Sequence, residues 1–156
     1  MDHLKKRHNS GLFATMGGPF DRHFFLLEIF GDLLVTAEIT CALGRPPDES
    51  YAKGDERPKG SQYYKTGAWK LKSGEIKVTD QYAAESHFES WVDGLPDDPG
   101  AWSKIKEKYE VRVRLVGYTD QWNAEFVVSV GALKGLSERG LPLMLDPYLS
   151  LDETEA

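Results

Sequence analysis

Apolar residues occupy both alternating sets of positions over residues 23–30: Phe25, Leu27 and Ile29 on one side, Phe24, Leu26 and Phe30 on the other. That pattern predicts a strand covered on both faces, central in a sheet or shielded at an edge. Val35, Ile39, Ala42 and Leu43 then recur at helical spacing, with Gly44 placed to stop the helix and Pro46 and Pro47 beyond it. Residues 45–65 carry Gly54, Gly60, three prolines and many charges, which predicts a long irregular loop. Over residues 68–72, Trp69 and Leu71 alternate with Lys70 and Lys72, the pattern of a strand with one wet face.

Ala84, Phe88, Trp91, Val92 and Leu95 form the stripe of a second helix, closing near Gly94 and Pro96. Asp98 before Pro99 is an N-cap followed by a first-turn proline, and the helix it starts turns Trp102, Ile105 and Tyr109 inward. Val111, Val113 and Leu115 alternate with Arg112 and Arg114, and Phe126, Val128 and Val130 repeat the pattern, which predicts a hairpin through residues 118–123. Ser129 can cap a last helix through Leu133 and Leu136 to Gly140, after which Leu141, Leu143 and Leu145 lead to Pro147 and Tyr148. The sum is an α+β fold: a mainly antiparallel or mixed sheet of about five strands with helices on one face. Strand-helix-strand units at both ends suggest a ferredoxin-like arrangement. A flexible segment (residues 1–20), one domain (21–149) and an acidic tail (150–156) divide the chain of 156 residues.

Charge and composition narrow the function. A formal charge of -6 and a pI near 5.2 disfavour nucleic acid, whose phosphates need clustered cations. Glu28 and Asp32 interrupt the richest apolar stretch, so no membrane span is expected, and the N-terminal apolar run is too short for a signal-peptide core. One cysteine, Cys41, permits no internal disulfide, which makes the cytoplasm the default and core filler its expected role. His3, His8, His23 and His87 show no metal-ligand spacing, and Met16-Gly17-Gly18-Pro19 lacks the lysine and hydroxyl of a phosphate loop. No catalytic residue, metal or cofactor is indicated.

One charge pattern is unusual. No Lys or Arg lies between Lys77 and Lys104, whereas Asp80, Glu85, Glu89, Asp93, Asp97 and Asp98 do. Glu85, Glu89 and Asp93 fall at i, i+4 and i+8, stacking like charges on one helical edge with Asp93 at the unfavourable C-terminal end. Either the basic segment from Lys53 to Lys77 neutralises that edge from across the fold, or the edge is simply hydrated, or it docks a cationic partner.

The arrangement of Ala37-Glu38-Ile39-Thr40, Leu43-Gly44 with Pro47, Lys53-Gly54 and the isolated Trp69-Lys70-Leu71 strand resembles the bacterial family called domain of unknown function 4279. The likeness resumes at residues 129–133, Gly140-Leu141, and Leu145-Asp146 with Tyr148, and spans about residues 24–149. The family has no established activity, so the resemblance assigns no catalytic residue. The residues lead to two expectations. The first is a non-catalytic cytoplasmic protein-binding module, in its narrower form an immunity-like inhibitor that covers a basic toxin or nuclease with Glu85, Glu89 and Asp93. The second is a small-ligand or enzyme site under the 45–65 loop, built from Lys53, Arg57, Asp146 and Tyr148. Tyr118 and Trp122, on the expected hairpin turn, offer a route to self-association.

Overall fold

The computed structural model describes residues 18–77, 81–121 and 123–149. Most of the expected N-terminal segment, Trp122 and the acidic tail lie outside them. In order, the elements are β1 (Arg22–Gly31), α1 (Thr36–Leu43), β2 (Glu49–Tyr51), β3 (Gly67–Lys72), β4 (Ile76–Lys77), α2 (Gln81–Asp93), α3 (Pro99–Lys108), β5 (Glu110–Thr119), α4 (Val130–Arg139) and β6 (Leu143–Leu149). The sheet is mixed and runs β2-β3-β1-β5-β6, with β4 also on β1. The fold is therefore α+β. β1-α1-β2 is a split unit with β3 between its strands, whereas β5-α4-β6 is unsplit and sets β6 parallel and directly beside β5. A ferredoxin-like sheet would split both units, so the C-terminal half departs from that expectation.

Helix ends follow local chemistry. The Asp98 side chain accepts from the Gly100 amide and the Ser129 hydroxyl from the Ala132 amide, each satisfying a first-turn donor. Gly44 and Gly140 close α1 and α4 in the left-handed region, at φ 67° and 62°. All four helices feed one core: Ile39 and Leu43, Phe88 and Val92, Trp102 and Ile105, and Ala132 and Leu136 meet Phe25, Leu27, Ile29, Trp69 and Leu115 of the sheet.

The helices thus cover a single face, and β1 is central but not covered by a second layer. Its other face carries Phe24, Leu26 and Phe30 half-buried. The Lys72 ammonium lies 4.0 Å from the Phe24 ring centroid and the Arg112 guanidinium 4.9 Å from that of Phe30, so long cationic side chains shield these rings in place of a layer.

Five local features differ from expectation. Cys41 is exposed, because α1 buries Ile39 and Leu43, which leaves a residue between them on the opposite side of the helix. Residues 45–65 are not wholly irregular: β2 pairs with β3, and Glu56 bridges Tyr63 across an ordered tip. β4 is a strand that periodicity does not signal, being two residues long. Finally, no hairpin joins β5 to residues 125–130. Both edges of β5 are taken by β1 and β6, so Phe126 and Val128 pack on the core while the backbone makes one bridge, Pro19 to Glu125. Phe20, expected in the mobile lead-in, is buried in that core.

Candidate functional site

The acidic edge of α2 faces α4. Gly131 and Gly135 let the two helices approach: a Cβ at Gly135 would stand 2.8 Å from Val92 Cγ1, and one at Gly131 would collide with the Glu89 carboxylate. Glu89 therefore packs on the first turn of α4, whose free amides and dipole favour an anion and offset part of the like-charge cost on α2. Glu85 is half-buried and Asp93 exposed. Below Glu89, Asp93 and Asp97 line an open cleft of about 630 Å³ with Lys134, Glu138 and Arg139. Lys134 reaches Glu138 at 3.8 Å. The buried Arg139 spends its guanidinium on the carbonyls of Leu95, Pro96 and Gly135, each at 2.9 Å, stapling the α2-α3 link to α4. Sequence spacing identified the carboxylates of α2; the role of α4 was hidden, because that contact joins segments some forty residues apart.

The loop residues and the β6 residues of the second expectation do not meet. Lys53 pairs with Asp32, and together with a hydrogen bond from Thr66 it holds that carboxyl below the usual range. Arg57 lies 5.2 Å from the centroid of Tyr64, which stacks on Tyr51 at 3.5 Å. Asp146 instead accepts from Arg114 and from the Tyr148 hydroxyl, both at 3.1 Å, and this bond to the carboxylate pushes the Tyr148 pKa up. Asp32, which holds Lys53, follows the end of β1 and stands eight positions beyond Phe24, the β1 residue in register with Val116 and so with Asp146; at roughly 3.3 Å per residue that is about 26 Å along the strands. They form two separate clusters.

On the helix-free face of β1 and β5 lies a cluster that the sequence reading missed. Glu28 is 1% exposed, and its carboxylate accepts from Arg112 Nε at 2.8 Å, from Arg114 Nε at 3.1 Å and from Arg114 Nη2. Arg114 continues to Asp146 and Tyr148, giving a chain of charge across β1, β5 and β6 on the helix-free face. A signal was available: one acid inside an apolar strand, and two arginines at the outward positions of another. With its oxygens held by three charged donors, Glu28 acts as a clasp between strands. Tyr118 stacks on Tyr148 at 5.3 Å within the same face, so it is engaged inside the fold.

On the helical side, His23 is fully buried beside Phe25 and Phe126, 6.3 Å from His87 between ring centroids. Desolvation, and next the neighbouring His87, lower its pKa to about 4. Among the described residues, no three His, Cys, Asp or Glu side chains group as a metal site would need, and no helix is long and apolar enough to cross a membrane.

Searches of curated proteins and of solved structures return no match. A family profile does match, over residues 22–150, which takes in every strand and helix described above. The chain belongs to the family described as Domain of unknown function (DUF4279).

Proposed function

We propose that the protein is a non-catalytic binding module that receives a cationic protein surface in the cleft between α2 and α4. The observation that carries this reading is the acidic rim of that cleft: Asp93, Asp97 and Glu138 are exposed along it against one exposed cation, Lys134, while Arg139 is buried with its guanidinium on backbone carbonyls. Complementary charge of this kind raises association rates and selects partners. Glu85 and Glu89 flank the same edge and extend it along α2. In the narrower form of the proposal the partner is a basic toxin or nuclease, intercepted in a bacterial cytoplasm.

Asp93→Lys and Glu138→Lys test it. Both place a cation in the last turn of a helix, where the macrodipole favours it, which offsets the loss of the exposed Lys134–Glu138 pair, so thermal stability should change little. The tagged double variant should lose the protein that the parent chain captures from its source cells at low salt. Equal capture by both chains would reject the proposal.

A further inference from the structure

The chain between β2 and β3 carries the opposite charge to α2. From Arg57 to Gly74 it holds Arg57, Lys59, Lys65, Lys70 and Lys72 and no carboxylate. Lys70 pairs with Glu49, and Lys72 lies over the Phe24 ring. Arg57, Lys59 and Lys65 are exposed and pair with no carboxylate among the described residues, whereas Arg22, Lys53 and Lys108 each hold one. The loop that presents these three cations is ordered. The Gly54 amide donates to the Tyr64 carbonyl at 2.8 Å, the Tyr64 amide to the Asp55 carbonyl at 2.9 Å and the Arg57 amide to the Gln62 carbonyl at 2.9 Å, so residues 54–64 fold back on themselves.

Alternation along this short ladder puts Arg57, Gln62 and Tyr64 on one face and Glu56 opposite Tyr63 on the other. Asp55 accepts from the Ala52 amide at 2.7 Å. Arg57 and Lys70 lie 5.2 Å from the centroids of the stacked Tyr64 and Tyr51 rings, so the ring pair is engaged by the protein's own cations and serves to hold Arg57. Gln62 Oε1 accepts from Arg57 Nη1 at 3.3 Å, which leaves Nε and Nη2 as the parallel donors that match an oxyanion in a bidentate fork. Two adjoining open clefts of about 560 and 570 Å³ flank this guanidinium, within the range of small-molecule sites. Arg57, Ser61, Gln62 and Tyr64 line both, Lys65 lines the first and Lys59 the second, and no carboxylate lines either. Three cations favour the more highly charged oxyanion, and a phosphate monoester carries about -1.5 to -2 at neutral pH where a carboxylate carries about -1.

We propose that the β2-β3 loop binds the phosphate monoester of a small molecule, with Arg57 as the bidentate anchor and Lys59, Lys65 and the Gln62 amide as the further donors. The site shares no residue with the α2-α4 cleft and stands whether or not that cleft receives a protein.

Methyl phosphate, methyl sulfate and a phosphoserine tripeptide with blocked ends are suitable probes, titrated at low salt into the isotope-labelled full chain and followed by amide NMR shifts. Methyl phosphate should saturate at millimolar concentration with its shifts concentrated on residues 51–66, and the singly charged methyl sulfate should bind about tenfold more weakly. Lowering the pH from about 7.5 to about 5 should weaken methyl phosphate, which takes up a proton at about pH 6, and leave methyl sulfate unchanged. Arg57→Gln and Lys65→Gln, both at exposed positions, should each weaken methyl phosphate by about threefold to tenfold; the second leaves Arg57 on Tyr64 and so reports charge apart from loop order. The tripeptide should bind no more tightly than methyl phosphate. Tenfold tighter binding of the tripeptide would assign the site to a phosphorylated protein and overturn the small-molecule source. Equal affinity for phosphate and sulfate, shifts mapping elsewhere, no saturable shift, or undiminished binding by both variants would overturn the site itself.

Discussion

Replacing Glu28 with Gln tests whether the clasp on the helix-free face holds the central strands together. The substitution keeps volume but removes the charge and turns an amide donor toward Arg112 or Arg114. Three charge-assisted bonds lose their carboxylate. Breaking a fully buried ion pair costs about 3–5 kcal/mol. The two arginine side chains keep 27% and 23% of their surface, so water recovers part of that, and Arg114 retains Asp146. A loss of about 3 kcal/mol remains, equivalent to a fall in Tm of about 10 °C for a domain of this size. Urea unfolding followed by the fluorescence of the buried Trp69 and Trp102 measures it. Because the carboxylate is out of solvent, the loss should be nearly the same at about 0.1 and 1 M salt. A loss below about 1 kcal/mol, the range of exposed pairs, or one that disappears at high salt, would refute the assignment of Glu28 as a structural clasp.

Two further outcomes follow from burial and close contact. His23, with its pKa pushed down to about 4, stays neutral in the fold at pH values where an unfolded histidine of pKa 6.5 takes up a proton. Its contribution is therefore complete above pH 6.5 and is lost as pH falls toward 4, by up to about 3 kcal/mol. Unfolding curves at intermediate pH values should show a steeper decline for the parent than for His23→Phe, and parallel declines would disprove the assignment. A Cβ at Gly117 would stand 2.5 Å from the Phe20 ring, whereas one at Gly18 meets nothing within 4 Å. Gly117→Ala should then cost about 1–3 kcal/mol through overpacking. Gly18→Ala should be close to neutral in the same thermal scan, and similar melting temperatures for the two would show that Phe20 is not fixed there.

Short-range chemistry explains why so many elements were legible in the chain. Asp98 with Pro99, Ser129, Gly44 and Gly140 act on backbone groups within a few residues, and each marks a helix end in the structure. The alternation of Val111, Val113 and Leu115 against Arg112 and Arg114 likewise sorted one strand into a core face and an open face. Tertiary competition decided the remainder. Residues 126–130 read as a strand by the same rule, yet β5 had no free edge to offer them. Residues 49–51 gained a strand because β3 did.

The candidate sites divide along the same line. The carboxylate row on α2 came from periodicity alone, and the folded chain carries Glu89 and Asp93 along one edge of that helix beside α4. The amino-acid sequence by itself determined the α+β class, the capped helices and which side chains β3 and β5 turn inward, because these depend on neighbours one to four positions away. Only the tertiary structure decided that Glu89 lies against α4, that Lys53 is held by Asp32 well away from Asp146, and that β6 extends the sheet beyond the helices. Strand order and helix docking are set by the joint burial of apolar faces from distant segments, and no local pattern records which of those faces will meet.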